Sequence, residues 1–424
     1  MKTLKGLSTE ANKCVKCGTC RSVCPTFKAI GRETASARGK LAIISAYLDG
    51  GIELNEAYVR HVKECTLCGA CRANCPSGVD TTGVFAAARE DIAKAQGVPF
   101  AASFLFRQLL NSGGHTPFLL KLFSRFQGVL FRDASIEKGL LSRFPLPLVG
   151  GGRLMPRLAE TTFLELPQVE ALGNAGKTAQ GRANVAFYAG CGVNFLMPEI
   201  GLKSLEVLKS AGASVIVPSG QICCGMPAYS SGDVETAREM AIKNLEVFEK
   251  AEFDFIATSC ATCGYGLKTL FNKLLGGEPE FKERVEKMSS RVRDITELLV
   301  NELNFTVNRN AAQRDSARTV VYHDPCHLGR AQGVREEPRR LIEMGEGVRL
   351  KEMKNPCACC GLGGGLTVSN YELSVEIARK KAENIKKSNA EIVATACPGC
   401  MVQLRDALHR FKVNAEVRHV VELL

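Results

Sequence analysis

The sequence predicts an α+β chain of several domains, on three observations. Two matched cysteine runs occur within a helix-forming N-terminal segment, which predicts an α-helical metal-binding domain over residues 1–97. A basic, phenylalanine-rich stretch follows and predicts a helical connector over residues 98–182. Strand and helix patterns then alternate twice with similar cysteine spacing, which predicts two duplicated α/β domains with parallel sheets over residues 183–305 and 306–424.

Composition identifies cysteine as the unusual component. Of 424 residues, 45% are hydrophobic and 23% are charged, as in an ordinary globular protein, but 19 are cysteine. Residues 1–13 are polar and lack the apolar segment of a secretory signal, and no run of 18 apolar residues occurs. We therefore expect reduced cysteines that act as metal ligands, in a cytoplasmic protein that can also work at the inner face of the membrane.

The formal charge of +11 raises the question of nucleic-acid binding. The chain has no tryptophan, no basic tail and no recognition motif, so we expect no nucleic-acid partner. Metal clusters ligated by thiolates carry negative charge, which offsets part of this formal excess.

The two N-terminal cysteine runs predict iron–sulfur clusters. Each has spacings of two, two and three residues followed by proline, the ferredoxin-type pattern of 4Fe-4S ligation, and the second repeats the first 51 positions later. Zinc also binds paired C-x-x-C motifs, but overlapping pairs and a fourth cysteine before proline favour iron–sulfur. The runs are Cys14, Cys17, Cys20 and Cys24, and Cys65, Cys68, Cys71 and Cys75.

These runs predict two cubane 4Fe-4S clusters that exchange ligands. The first three cysteines of a run hold one cluster, and the fourth usually ligates the other. Such an exchange brings the clusters close together, as electron relay requires. Helices are predicted at 37–47, 55–64 and 81–95. The predicted ligands are Cys14, Cys17, Cys20 and Cys75 for one cluster, and Cys65, Cys68, Cys71 and Cys24 for the other.

The connector carries an apolar helical face with basic residues around it. Residues 100–160 contain eight phenylalanines and eight Lys or Arg, but only three acids. We predict a helix packed on the chain's own domains; the alternative is a docking surface for a partner subunit or an anionic membrane. Prolines and glycines at 145–156 then break regular structure, and 173–181 predicts a flexible linker. The face comprises Leu119, Leu122, Phe123, Phe126 and Leu130, with Lys121, Arg125 and Arg132 around it.

The C-terminal part is an internal duplication. In each half a strand leads to a single cysteine, a second strand leads to a Cys-Cys-Gly turn, and a third leads to a Cys-x-x-Cys pair, with offsets of 135, 136 and 137 between halves. The halves close alike, with R-D-I-T-E-L-L and R-H-V-V-E-L-L. The predicted strands are 184–189, 214–218 and 253–258, then 319–323, 348–353 and 391–395, with long helices at 233–250 and 371–387.

Each half is predicted to gather five thiols at one edge of its sheet. Ligands of parallel sheets bind beyond the carboxyl ends of the strands, where these cysteines lie. Adjacent cysteines can serve one site only where irregular backbone turns both inward, which a following glycine permits. Pro325 and Pro398 suit helix starts, whose N-terminal field is expected to lower nearby thiol pKa values. The sets are Cys191, Cys223, Cys224, Cys260 and Cys263, and Cys326, Cys359, Cys360, Cys397 and Cys400.

Several residues near these sets have alternative interpretations. A zinc ion would need four ligands and leave a fifth thiol idle. Cys357 has no counterpart in the first half, where Gln221 stands, so it is predicted not to be a ligand. His323 is predicted to be a strand-end hydrogen-bond partner and His327 a polar group at a helix start; the alternative makes one a donor to a ligand or a proton carrier. Residues 361–365 lack the G-x-G-x-x-G spacing of a dinucleotide site.

The spacing from a lone cysteine through Cys-Cys-Gly to Cys-x-x-Cys resembles the cysteine-rich domain of heterodisulfide reductase subunits. The full order, two ferredoxin runs and then two such domains, is similar to the glycolate oxidase iron–sulfur subunit family and to related lactate-oxidising proteins. The resemblance implies one or two further, noncubane 4Fe-4S clusters in the five-cysteine sets.

The expected function is electron transfer within an oxidoreductase complex. No dinucleotide fingerprint, flavin motif or acid–base pair is present, so we expect no flavin on this chain and assign no catalytic residue. The resemblance implies an FAD-containing 2-hydroxyacid dehydrogenase subunit as partner, with glycolate or D-lactate as substrate and a quinone or another carrier as acceptor. One alternative is a heterodisulfide-reductase-like subunit that cleaves a disulfide at noncubane clusters; another is a redox-sensing or zinc-bound scaffold.

Overall fold

A computed structural model describes residues 3–111, 118–134, 136, 139–144, 151–173, 182–307 and 317–424. Within these ranges no helix combines the length and the apolar character needed to cross a membrane. The architecture is mixed: a helical N-terminal part is followed by two four-stranded parallel sheets with helices around them. The predicted fold class is confirmed.

The N-terminal part is helical, and polar side chains cap its longer helices. Ser36, Asn55 and Asp80 each accept a hydrogen bond from a backbone N–H of the first turn that follows, which satisfies a group that the helix itself leaves unpaired. The three helices predicted here agree with the structure to within one residue at each end. The helices are α1 (Ser8–Asn12), α2 (Thr19–Val23), α3 (Pro25–Ile30), α4 (Ala37–Leu48), α5 (Glu56–Lys63), α6 (Ala70–Ala73) and α7 (Thr81–Gln96).

The connector contains helices and also an antiparallel hairpin that was not predicted. Its helices are α8 (Phe100–Phe104), α9 (Phe118–Leu130) and α10 (Pro167–Gly173), and its strands are β1 (Phe131–Ala134) and β2 (Gly139–Ser142). Pro145, Pro147, Gly150 and linker residues 174–181 lie outside the described residues, as do the side chains of Leu119 and Lys121.

Helix α9 is oriented opposite to the prediction. The Gln127 side chain is buried and both donates to the Leu158 carbonyl and accepts from its N–H, at 3.1 Å each. Of the apolar side chains predicted to pack on the chain, Leu122, Phe123, Phe126 and Leu130 instead face solvent, and Phe126 is 59% exposed. The expectation that these side chains pack on the chain's own domains is therefore wrong, because the buried Gln127 side chain anchors the helix.

The first duplicated half forms a parallel sheet with strand order β4-β3-β5-β6. Strands β3, β4 and β5 agree with the prediction to within two residues at each end, and β6 lies in the closing segment that carried no strand prediction. The strands are β3 (Ala183–Phe187), β4 (Ala213–Ile216), β5 (Phe255–Thr258) and β6 (Val292–Asp294). The helices are α11 (Gly190–Phe195), α12 (Pro198–Ser210), α13 (Met226–Ser231), α14 (Val234–Glu249), α15 (Ala261–Tyr265), α16 (Phe271–Leu275), α17 (Pro279–Arg291) and α18 (Ile295–Glu297).

The second half repeats this topology with strand order β8-β7-β9-β10. Its strands are β7 (Arg318–Tyr322), β8 (Val348–Leu350), β9 (Ile392–Thr395) and β10 (Glu416–His419), and its helices are α19 (Glu336–Met344), α20 (Leu366–Ser369), α21 (Tyr371–Ser388) and α22 (Pro398–Arg410). A continuous apolar core joins the two halves. A smaller apolar cluster, which includes Ala70, Leu366 and Ile377, joins the N-terminal part to the second half. These contacts position the cysteine sets relative to one another.

Candidate iron–sulfur sites

The two N-terminal cysteine runs adopt the same local conformation. In each, a glycine with a left-handed backbone precedes a short helix: Gly18, with φ of 88°, before α2, and Gly69, with φ of 70°, before α6. Glycine reaches this conformation without the steric cost that a side chain adds. The repeated turn gives the two runs equivalent loops.

The cysteines of the two runs line two neighbouring cavities. The first cavity is lined by Cys14, Cys17, Cys20 and Cys75. The second is lined by Cys24, Cys65 and Cys68. Cys71 borders both cavities. Each fourth cysteine thus lines the cavity of the opposite run.

Polar groups next to these cysteines can stabilise thiolates. The Leu67 and Val79 N–H groups donate to the sulfurs of Cys65 and Cys75, each at 3.4 Å. The Thr81 hydroxyl lies 3.0 Å from the Cys71 sulfur. Thiol donors around a cavity, together with hydrogen bonds to sulfur, suit an iron–sulfur cluster.

In the first half, all five predicted cysteines are neighbours in space. The sulfurs of Cys191 and Cys223 are 3.7 Å apart. Hydrogen-bonding contacts continue from Cys223 to Cys224, then to Cys263 and Cys260. Burial and these contacts raise the pKa of the Cys223 and Cys263 thiols well above the usual range. Several buried thiols at one sheet edge gain favourable partners when they bind a soft metal centre.

The second half brings its five cysteines together in the same way. The sulfurs of Cys360 and Cys400 are 3.8 Å apart, and thiol contacts join Cys359 to Cys360 and Cys397 to Cys400. Cys326 lies beside Cys359 and Cys360 and interacts with them electrostatically. Cys357, predicted not to be a ligand, is exposed to solvent.

The predicted effect of the helix starts on thiol acidity is only partly observed. Burial and the neighbouring cysteines raise the pKa of Cys326 well above its usual range. The residue opens a single π-helical turn, Cys326–Arg330, and not a long helix. The pKa of Cys397 at the start of α22 does lie well below its usual range, but hydrogen bonds from Cys260 and Cys400 are the main cause. Neighbouring thiols therefore outweigh the helix field here.

Two direct contacts between cysteines join sets that are far apart in the sequence. Cys68 of the second N-terminal run contacts Cys359 of the second half. Cys260 of the first half contacts Cys397 of the second half. Together with Cys71, which borders both N-terminal cavities, these contacts make a continuous series of cysteine sites through the molecule. The order is first cavity, second cavity, second half, first half.

His327 and Thr262 strengthen the junction between the two halves. The His327 ring stacks on Tyr265 with centroids 4.8 Å apart, and its Nδ1 lies 3.2 Å from the Thr262 hydroxyl. The same hydroxyl lies 3.6 Å from the Cys397 sulfur. His327 is thus a packing and hydrogen-bonding group between halves, a role that its position at a helix start did not indicate.

Arg89 ties the N-terminal part to both halves. Its side chain is 2% exposed and donates to the carbonyls of Ser230 in the first half and Gly364 in the second, at 2.7 and 2.9 Å. It also donates to three carbonyls of the N-terminal part, among them that of Cys65 at 2.5 Å. No sequence motif marks this residue.

Among the described residues, Arg89 is one of three buried cations beside the cysteine sites. Lys40 donates to the His61 carbonyl at 2.7 Å, and Lys381 donates to the Asn355 and Pro356 carbonyls at 3.0 and 2.9 Å. Burial lowers the pKa of all three, and attraction to nearby cysteines opposes that effect. A buried cation needs compensating negative charge, which thiolate-ligated clusters supply.

We expect Gly364→Ala to disrupt the junction at Arg89. Gly364 has a left-handed backbone, with φ of 66°, and an added Cβ would lie 2.2 Å from the Cys65 carbonyl oxygen. Gly365→Ala is the matched control, because Gly365 has φ of 69° but an added Cβ would meet nothing closer than 3.8 Å. The left-handed backbone conformation lowers the stability of both alanine variants by about 1–2 kcal/mol. Of these two variants, only Gly364→Ala adds a steric clash. Chemical denaturation should show the larger loss of stability for Gly364→Ala; equal losses would contradict the close contact.

Comparison with known proteins agrees with this arrangement. Residues 10–79 match the family model of a 4Fe-4S dicluster domain, and residues 185–268 and 320–405 each match that of a cysteine-rich domain. The chain is 29% identical to the probable glycolate oxidase iron-sulfur subunit of Bacillus subtilis, over 98% of this chain and 93% of the relative. It is 26% identical to one of the subunits of the dihydromethanophenazine:CoB–CoM heterodisulfide reductase of Methanosarcina acetivorans, over 98% and 93%. It is 30% identical to lactate utilization protein A 2 of Bacillus cereus, over 57% and 97%.

Proposed function

The chain belongs to the family of the glycolate oxidase iron–sulfur subunits, which join a 4Fe-4S dicluster domain to two cysteine-rich domains, and we propose that it is the electron-transfer subunit of a flavin-dependent 2-hydroxyacid dehydrogenase. The substrate of the complex is glycolate or D-lactate. An FAD-containing partner subunit oxidises it, and a quinone or another carrier accepts the electrons.

The observation that carries this proposal is the continuous series of cysteine sites. Iron–sulfur clusters, once bound, supply one-electron transfer. The interactions of Cys68 with Cys359 and of Cys260 with Cys397 bring neighbouring sites close together, which is the arrangement that a relay needs. At the first cavity the series reaches the surface, where Cys17 is exposed.

We assign the ligands as follows. The first cavity holds a cubane 4Fe-4S cluster and the second cavity another, and the five thiols of each half hold a further noncubane cluster. Cys357 ligates none, because it is exposed to solvent while the other cysteines of its turn are buried. The ligands are Cys14, Cys17, Cys20 and Cys75; Cys65, Cys68, Cys71 and Cys24; Cys191, Cys223, Cys224, Cys260 and Cys263; and Cys326, Cys359, Cys360, Cys397 and Cys400.

The test is reduction by substrate in the presence and absence of the partner. The chain is purified without oxygen, alone and together with its copurifying FAD-containing subunit, and glycolate or D-lactate is added. We expect the visible iron–sulfur absorbance to bleach only when the flavoprotein is present. Bleaching of the isolated chain by either acid, or no bleaching of the complex by both, would contradict the assignment.

A heterodisulfide-reductase-like activity is the second candidate. One observation favours it: both halves carry complete five-cysteine sets, which contact each other through Cys260 and Cys397. An assay of the isolated, chemically reduced chain with the CoB–CoM heterodisulfide discriminates between the two functions. Turnover without any flavoprotein would favour this candidate, and its absence favours the relay.

The exposed apolar face of α9 is proposed as the contact with an anionic membrane surface. Phe126 and Val129 are 59% and 65% exposed, Phe123 is also exposed, and Arg125 and Arg132 are exposed near them. Apolar side chains that insert below the headgroups, with arginines at their level, form a typical interfacial contact. A quinone acceptor within the membrane fits this location.

We expect Phe126→Asp to weaken binding to vesicles that contain phosphatidylglycerol by about tenfold or more, because burial of one phenylalanine contributes about 1.5–3 kcal/mol. Flotation with the vesicles measures it, and phosphatidylcholine vesicles test the role of charge. Val368→Asp is the control, since Val368 is 71% exposed but lies in α20. Equal binding by wild type and Phe126→Asp would exclude this surface.

A further inference from the structure

His323 is the residue that the predicted roles leave unexplained. It follows β7, and its backbone N–H donates to the Ala394 carbonyl of β9 at 2.8 Å. Its side chain is 1% exposed, and neither ring nitrogen has a hydrogen-bond partner within the described residues. The predicted role of strand-end hydrogen-bond partner is therefore wrong for this side chain.

An unpartnered imidazole in the interior has an energetic cost. A buried donor or acceptor without a partner costs about 1–3 kcal/mol. Such groups occur where a ligand or a metal completes the site. A neutral imidazole offers a nitrogen lone pair to a metal ion.

The ring nitrogen lies next to two thiols of the second half. One ring nitrogen of His323 and the sulfurs of Cys360 and Cys400 all lie within 4.8 Å of one another. Within the described part of the chain, this is the group of mixed donors close enough to hold a metal ion. Imidazole and thiolate are both suitable ligands of iron.

The first half lacks this donor. Tyr188 occupies the position that corresponds to His323, three residues before the lone cysteine of each half. Its hydroxyl donates to the Ile222 carbonyl at 2.5 Å, so that side chain is satisfied without a metal. The two halves, alike in their thiols, thus differ in the side chain at the strand end.

We propose that His323 is a nitrogen ligand of the iron centre held by Cys360 and Cys400, so that the second half binds iron through thiolates and one imidazole and the first through thiolates alone. This inference rests on the proposed cluster site of the second half.

The test is the hyperfine coupling of histidine nitrogen to the paramagnetic iron centres. Full-length, iron-loaded protein is prepared with ordinary and with ¹⁵N-labelled histidine, and pulsed electron paramagnetic resonance detects the nitrogen. We expect a histidine coupling in wild type, its loss in His323→Tyr with iron content retained, and its persistence in His327→Asn. His323→Tyr copies the first half, where a tyrosine is accommodated.

The outcomes separate this inference from the proposed function. If the second half binds iron but wild type shows no histidine coupling, or His323→Tyr retains it, the inference fails and the cluster site stands. If the second half binds no iron, the cluster assignment itself fails. If His323→Tyr does not fold, His323→Gln is tested in its place. The comparison of ¹⁵N-labelled with unlabelled wild-type protein detects the histidine coupling without any variant.

Discussion

Replacement of Cys359 by serine is expected to remove the iron centre of the second half and to interrupt the relay. Cys359 lies between Cys68 of the N-terminal part and Cys360 of its own set. The contact with Cys360, together with burial, raises the pKa of Cys359 to about 11, so metal binding is what makes a thiolate favourable there. A serine hydroxyl is a poor ligand for a soft iron–sulfur centre. The loss should be about four irons per chain.

Cys357→Ser is the matched control, two positions away in the same turn. Cys357 is exposed and belongs to no group of buried thiols, so its replacement should leave the iron content unchanged. Cys360→Ser should resemble Cys359→Ser. The iron and acid-labile sulfide contents of the variants are measured on protein purified without oxygen. The ligand assignment is contradicted if Cys357→Ser loses as much iron as Cys359→Ser, or if neither loses any.

Arg89→Met is expected to lower the free energy of unfolding by about 3 kcal/mol or more. The guanidinium donates to carbonyls in all three connected parts, and methionine leaves these buried acceptors unpaired at about 1–3 kcal/mol each. Part of this loss of stability is offset, because the variant no longer buries a charge. Denaturant unfolding of the iron-loaded protein measures the change, and hydrogen exchange around 62–67 and 363–365 should speed up with it.

Two further variants make the test of Arg89 specific. Lys94 lies on the same helix, is exposed and pairs with Glu90 four residues earlier. Lys94→Ala should therefore change the stability by less than about 0.5 kcal/mol. Arg89→Lys keeps the charge, but a single ammonium group cannot reach carbonyls on both sides, so it should restore little. A wild-type stability for Arg89→Met would show that the three parts are held together by apolar contacts alone.

The sequence predicted the parts of the fold that depend on local pattern. Strands such as β5 and β9 are short apolar runs buried between helices, and the helices carry capping residues such as Asn55. Strands β6 and β10 were missed because charged or polar side chains interrupt the apolar pattern that β5 and β9 keep. Only their position beside β5 and β9 in the finished sheets makes them strands.

Membership of the cysteine sets was also predictable, but their relation to one another was not. Spacing and duplication marked the cysteines, since these are local signals. The contact of Cys68 with Cys359 joins residues almost 300 positions apart and depends on how whole domains pack. The role of Arg89 was equally unpredictable, because its hydrogen-bond acceptors are backbone carbonyls, which every residue has. The orientation of α9 escaped prediction because the buried Gln127 side chain anchors the helix, and its apolar face does not.

The central claim is that four iron–sulfur sites form one continuous series in a single chain, and the iron content tests it most directly. Iron and acid-labile sulfide are counted per chain on protein purified without oxygen and reconstituted to saturation. The account predicts about sixteen irons with equal sulfide, in two cubane and two noncubane clusters. Saturation at about eight irons, the content of the N-terminal part alone, would contradict it.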